Sequence, residues 1–315
     1  MGASEATRKA ARSERLRAVL ANKKAAVGSA IVLFFVVLAV LGPLFVHEPT
    51  LATGAPHEAP SAEHFFGTTG QGQDVLAQTI CGARTSLFVG VMTGTLVMII
   101  GALVGMAAGF FGGFIDEVLS LCTNVFLILP GLPLAVVIAA YLPAGPTTIT
   151  LVLVVTGWAW NARVLRSQVL SLRQKDFVAA AMVSGEGSFK ILFREILPNM
   201  ASLLMSGFIG ATVYAIGAQV GLEFLGLADV GVVTWGTNLY WASNDAALLT
   251  GAWWTIVPTG TCIATLGFAL ALMSFALDEV TNPRLRAESG EAWVRVVTEQ
   301  RLEAGHSTPV LRKRA

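Results

Sequence analysis

Six long apolar runs punctuate the chain: Ala25–Phe45, Ser86–Ala108, Val118–Tyr141, Thr147–Ala162, Met200–Gly221 and Val257–Leu277. A helix needs roughly 20 apolar residues to cross a bilayer, so the pattern predicts an all-α membrane protein with six spans. The fourth run is short and is expected to continue into Arg163. The sixth lies within a longer apolar stretch from Ala246, which leaves its start open. The first run exceeds the roughly 7–15 residues of a signal-peptide core and has no convincing cleavage site, so it reads as a retained anchor. Pro130 and Pro133 interrupt the third run. Proline frees a backbone carbonyl and bends a helix, so a kink is expected there, for packing or as a hinge.

Composition supports lipid as the main solvent. Of the 315 residues, 54% are apolar and only 13% charged, against about a quarter charged in soluble domains. A net charge of +1 implies no bulk attraction to nucleic acid. Cys81, Cys122 and Cys262 are widely separated and read as packing thiols rather than metal ligands.

Charge then sets the orientation. Of the 21 basic residues, 20 fall in three segments: the N-terminal arm from Arg8 to Lys24, the stretch from Arg163 to Arg194, and the tail from Arg284 to Arg314. Six spans put all three on one side, and the bias of lysine and arginine makes that side the cytoplasm. The outer loops, 46–85 and 222–245, carry Glu48, Glu58, Glu63, Asp74, Glu223, Asp229 and Asp245. The expected division is a basic arm (1–24), a six-span domain (25–286) containing an inner loop (163–199), and an inner tail (287–315). The final basic cluster of that tail is expected near anionic lipid.

Spans two, four, five and six contain no Asp, Glu, Lys, Arg or His, and span three has only Asp116 and Glu117, at its inner mouth. Ion-coupled carriers usually bury such groups at mid-depth, so the pattern argues against one. Sodium sites made of carbonyls and hydroxyls would escape this test. Mild polar groups remain, among them Asn124, Tyr214 and Gln219. They serve as helix-to-helix hydrogen-bonding groups or as a path lining. Gly101, Gly105 and Gly109 repeat at the small-x-x-x-small spacing that lets helix backbones approach. His47, His57 and His64 share the outer loop but fit no standard ligand spacing. They are expected to be solvated, with no metal bound.

The inner loop includes "FVAAAMVSGEGSFKILFREILPN", residues 177–199. Asp176 can cap a helix beginning at Phe177, whose alanines offer a narrow, smooth surface. Gly185 can end it. Phe189, Ile191, Leu192 and Phe193 open a second, amphipathic piece with Lys190, Arg194 and Glu195 on its polar side. Pro198 is expected in the first turn of span five, where a missing N–H costs little. An ordinary interfacial linker would show the same pattern. No phosphate-binding G-x-x-x-x-G-K-[ST] loop occurs, so nucleotide chemistry would have to come from another chain.

These residues resemble the permeases of ABC importers, which carry an "EAA" loop, and in particular the peptide/nickel branch. Phe177, Val178, Ala180, Ala181 and Gly185 fit the first half of that loop, and Ser188, Lys190, Ile191, Arg194, Ile196, Leu197, Pro198 and Asn199 the second. Ala179, Phe177 and Glu195 stand where the family has Glu, Tyr and His. The outer stretch from Phe65 to Leu87 resembles the family's G-T-D-x-x-G-R-D-V-L signature, with Thr69 and Gln73 departing from it. "GGFID" with Pro130 resembles the start and middle of its third span, and "DEVTNPRLR", residues 278–286, its closing motif.

The resemblance implies a type I importer architecture: a permease subunit paired with a sister permease in a heterodimer. Two ATPase subunits and an external solute-binding protein would complete the assembly, in a bacterial inner membrane with both termini cytoplasmic. This chain would bind no cofactor and do no catalysis; ATP and magnesium would belong to the ATPases. It further implies ATPase coupling through Phe177, Val178, Ala180, Ala181, Ser184, Gly185, Ser188, Lys190, Arg194 and Pro198. Asn124, Tyr214 and Gln219 are candidates for the translocation path. Dipeptides and oligopeptides are the expected cargo, with nickel or another small solute as the alternative. A secondary carrier, a membrane enzyme and a passive scaffold are the rival classes.

Overall fold

The computed structural model describes residues 22–281. The N-terminal arm before residue 22, the tail and the part of the 278–286 motif beyond Thr281 lie outside the described residues. Within them the chain forms a main unit, residues 27–274, and a small second unit, residues 22–26 with 275–281. In the small unit Glu279 accepts from Asn22 and pairs with Lys24 at 3.2 Å.

The described elements are helical. They are α1 (Lys23–Leu41), α2 (Val75–Phe111), α3 (Gly113–Ile128), α4 (Gly131–Ala140), α5 (Pro146–Arg173), α6 (Asp176–Val183), α7 (Ser188–Ile191), α8 (Ala201–Phe224), α9 (Trp235–Asn244) and α10 (Val257–Thr281). Five are long and apolar enough to cross a membrane, and α3 with α4 makes a sixth span if the bent pair counts as one. The expected kink in span three is a break of 85°. Its cause is local. Proline disfavours the helical conformation in the residue before it, and Leu129 is extended at ψ 132 with Pro130 extended after it at ψ 111.

Two helices outrun the apolar pattern. Asp74 starts α2 eleven positions before the expected span, its Oδ1 accepting from the Ala77 N–H at 2.8 Å. At ~1.5 Å per residue, α2 is about 55 Å long and projects beyond a bilayer core of ~30 Å. Helix α5 continues past Arg163 to Arg173, so the first third of the expected inner loop is helix.

The α2–α5 contact organises the main unit. A Cβ on Gly101 would come within 2.8 Å of the Asn161 Cβ, and one on Gly109 within 2.8 Å of the Arg166 carbonyl oxygen. The glycine repeat therefore does what small-residue spacing permits: it brings two backbones together where any larger side chain would hold them apart.

The end of the bundle bearing the long 45–74 loop departs most from expectation. That loop is folded rather than loose. Thr68 Oγ1 donates to the Ala55 carbonyl at 2.6 Å, the Trp254 indole donates to the Thr68 carbonyl at 3.2 Å, and Thr68 bridges Asp74. His64, expected to be solvated, is 6% exposed and pairs through Nδ1 with Asp74 Oδ2 at 2.9 Å. Glu223, expected in the outer loop 222–245, belongs to the last turn of α8 and is 1% exposed.

Candidate functional site

The stretch 174–199 forms a short helical hairpin between α5 and α8. Its first helix, α6, begins at Asp176, which occupies the first helical position instead of capping; Lys175 is the extended cap residue. The helix ends in a Schellman motif, in which backbone N–H groups after the helix bond back to its last carbonyls. The Gly185 N–H bonds to the Met182 carbonyl at 3.0 Å and the Glu186 N–H to the Ala181 carbonyl at 3.1 Å. The motif needs a residue in left-handed conformation, and Gly185 supplies it at φ +77. No neighbour lies within 4 Å of a Cβ built there. Backbone conformation, rather than space, therefore requires glycine.

The second half of the hairpin is α7, a π-helical turn (Leu192–Ile196) and a short turn (Leu197–Asn199) that precedes α8. Pro198 lies in that short turn, ahead of span five rather than in its first turn. Proline clashes with the carbonyl four residues back, and a π-turn is one way a helix absorbs such a misfit. Here the Leu197 N–H reaches back five residues to the Leu192 carbonyl.

The hairpin has an apolar root and an exposed crest. Val178, Ile191, Leu192, Ile196 and Met200 are buried against Met98, Met106 and Phe110 of α2 and Leu165 and Val169 of α5. Burying a side chain of this kind is worth roughly 1.5–3 kcal/mol, so the root ties α7 firmly to the spans. The crest is exposed: Phe177, Ala180, Met182, Val183, Ser184 and Gly185 on the α6 side, with Ser188, Phe189, Lys190, Phe193, Arg194 and Pro198 after it. Val183 is 90% and Phe189 70% exposed.

Of the ten coupling candidates, Val178 points into the root and Ala181 packs half-buried against it; the other eight are on the exposed side. Met182, Val183 and Phe189 share that exposed surface but were not among the candidates. Their apolarity was visible in the sequence, but helices of eight and four residues give too few turns for periodicity to fix which side faces out.

A groove of about 600 Å³ opens between α2, α3, α5 and α8. Phe126, Trp160, Asn161, Ser206 and Tyr214 are among its walls, and no wall residue is charged. Of the three path candidates, Tyr214 lines this groove. Asn124 lies in a separate pocket of about 230 Å³ beside Arg163. Gln219 is fully buried and donates Nε2 to Glu223 at 2.8 Å.

Glu223 sits at the centre of a buried polar cluster that fixes α9. Its Oε2 accepts from Thr234 Oγ1 at 2.6 Å, and the carboxyl also accepts from the Gly236 backbone. A carboxylate is favourable at a helix N-terminus, where unpaired N–H groups point outward. Thr234 and Thr237 close a capping box around the same terminus. Ser86 Oγ accepts from the Trp235 N–H at 3.0 Å, the Trp235 indole donates to the Thr79 carbonyl at 3.0 Å, and Asn238 Nδ2 donates to the Gln78 carbonyl at 3.1 Å. In the neighbouring loop the Asp74 hydrogen bond raises the His64 pKa above its ordinary value, and Glu63 and Glu58 add to the rise.

Residues 101–287 match the family described as binding-protein-dependent transport system inner membrane component. The dipeptide transport system permease protein DppC of Bacillus subtilis (strain 168) is 33% identical over 270 residues, 84% of this chain and 83% of that protein. The oligopeptide permease OppC of the same organism is 32% identical over 84% of this chain and 87% of that protein. OppC of Mycobacterium bovis (strain ATCC BAA-935 / AF2122/97) is 33% identical over 65% of this chain and 72% of that protein. With its apolar helices, its helical hairpin and these matches, the chain belongs to the family of binding-protein-dependent transport system inner membrane components.

Proposed function

We propose that this chain is the permease subunit of an ATP-driven importer of dipeptides or oligopeptides, and that the 174–199 hairpin is where ATP-derived force enters it. The observation that carries the proposal is the hairpin's two-sided build: a crest of exposed small and apolar side chains above a root buried in two spans. A displacement of the crest is transmitted because close-packed interiors are stiff. The names of the relatives favour peptides over nickel.

Under this reading the hairpin end, with its basic residues, faces the cytoplasm, in a bacterial inner membrane. Two ATPase subunits dock on the crest. A sister permease completes the path along the uncharged groove, and an external binding protein delivers cargo at the end held by Glu223 and His64. ATP and magnesium belong to the ATPases.

Single cysteines at Phe177, Ala180, Val183 and Ser184 test the docking. The expected result is disulfide or bifunctional crosslinking to an ATPase subunit from the crest positions and none from Val178. Vesicles holding the assembled transporter should accumulate a labelled dipeptide only with internal ATP and magnesium. Accumulation by this chain alone, or silence at every crest position, would overturn the proposal.

A further inference from the structure

The structure assigns a binding site for the phosphate headgroup of an anionic phospholipid to the pocket between α2, α3 and α5. It rests on the orientation given above but not on the identity of the cargo. The pocket holds about 230 Å³. Gly105, Ala108 and Ala162 form a small-residue wall, and Ser120, Thr123, Asn124, Arg163 and Arg166 supply the polar one.

The two arginines differ in what balances them. Arg166 is held by Asp116, its Nε donating to Oδ1 at 2.5 Å and its Nη2 to Oδ2 at 2.7 Å. Ser120 Oγ donates to the same carboxylate at 2.9 Å. Arg163 donates from Nη2 to Asn124 Oδ1 at 2.7 Å, and that amide is neutral. Among the described residues no carboxylate pairs with Arg163. Glu117, the next acid on α3, is exposed and is not among the pocket walls. The pocket therefore carries a net positive charge on an exposed guanidinium. Arginine has five N–H donors in a planar fork that matches phosphate oxygens, and the Asn124 bond orients that fork while using one of them.

Depth argues for a lipid rather than a soluble anion. Arg163 lies about 26 Å along α5 from Pro146 at ~1.5 Å per residue, close to the far boundary of a core of ~30 Å. Basic pockets between spans at the cytoplasmic boundary suit anionic headgroups. The α3 surface next to Asn124 suits acyl chains: Leu121 and Val125 are exposed and apolar.

Cys122 is exposed one residue from Leu121, which gives a local reporter. The full-length chain, with Cys81 and Cys262 replaced by alanine and a bimane on Cys122, is reconstituted in phosphatidylcholine vesicles. Dibrominated phosphatidylglycerol or dibrominated phosphatidylcholine is then added at equal mole fraction. The expected result is several-fold stronger quenching by the brominated phosphatidylglycerol. Arg163→Gln should bring it down to the phosphatidylcholine level, while Arg163→Lys keeps part of the preference. A melting curve for each variant separates lost binding from lost fold; a destabilised Arg163→Gln chain transfers the test to Asn124→Ala, expected to weaken the preference. Equal quenching by the two lipids in the unsubstituted chain overturns the site. So does an unchanged preference in a folded Arg163→Gln chain. Displacement of the brominated lipid by a dipeptide with a free C-terminal carboxylate, but not by its amide, would give the pocket to cargo and overturn it equally.

Discussion

The two ends of this bundle are held by opposite means. At one end α9 is fastened by buried polar bonds: Glu223, Thr234, Ser86, Trp235 and Asn238 each meet a partner, and Gln219 is drawn into the same cluster. At the other end the hairpin is fastened by apolar packing at its root and left bare at its crest. Directional bonds in a dry site lock one geometry and are costly to leave unmade. Apolar contact is non-directional, so packing holds the hairpin at its root without directional bonds fixing its crest. The contrast fits the lever role proposed for the hairpin.

The strongest test of this contrast is Glu223→Leu. It strands the Gln219, Thr234 and Gly236 donors in a buried site, and about 3–5 kcal/mol of stability is the expected loss. The readout is the melting temperature in detergent, with Glu223→Gln falling much less because it keeps an acceptor oxygen. A melt unchanged by Glu223→Leu would remove the idea of a polar lock.

Gly185→Val comes next and should act differently. Left-handed backbone costs a side-chain-bearing residue roughly 1–2 kcal/mol, confined here to the end of α6. ATP-driven uptake should fall about tenfold or more, a change equivalent to ~1.4 kcal/mol, with the bundle melt shifted little. A melt as depressed as that of Glu223→Leu would mean that the crest is part of the core.

A smaller effect belongs to His64, worth about 1 kcal/mol through its charged hydrogen bond. Its pKa is raised in the folded state, so its contribution is full below the unfolded value near 6.5 and fades as pH climbs through the folded one. Amide exchange in the 52–74 loop should therefore quicken over that window, beyond its intrinsic pH dependence, and His64→Gln should flatten the extra rise. The least change is expected from Lys190→Ala. Its pair with Glu186, 2.6 Å apart on the exposed crest, is worth at most about 0.5 kcal/mol, and the melt should not move measurably.

Much of this protein was legible in the residues themselves. The six runs, the glycine ladder of α2, and the breaks at Pro130 and Gly185 follow from local rules: hydropathy matched to bilayer thickness, the missing Cβ, and proline's fixed ring. Two readings of the outer loops changed. Glu223 was placed in a loop and His64 in solvent, yet both are buried against partners, Thr234 and Asp74, that lie eleven and ten positions away. Sequence shows that these groups exist but not that the chain returns to satisfy them.

The candidate site divided along the same line. Its position, its small residues and its terminating glycine could be placed from the chain alone. Which side of α6 is root and which is crest could not, nor could the separation of Tyr214, Asn124 and Gln219 into a groove, an arginine pocket and a buried polar cluster. Sequence by itself determined which stretches are apolar enough to cross the bilayer and where proline and glycine break them, because those depend on each segment's own backbone and solvent preference. Tertiary structure alone decided which polar groups are buried, paired or exposed, because that depends on neighbours brought from distant parts of the chain.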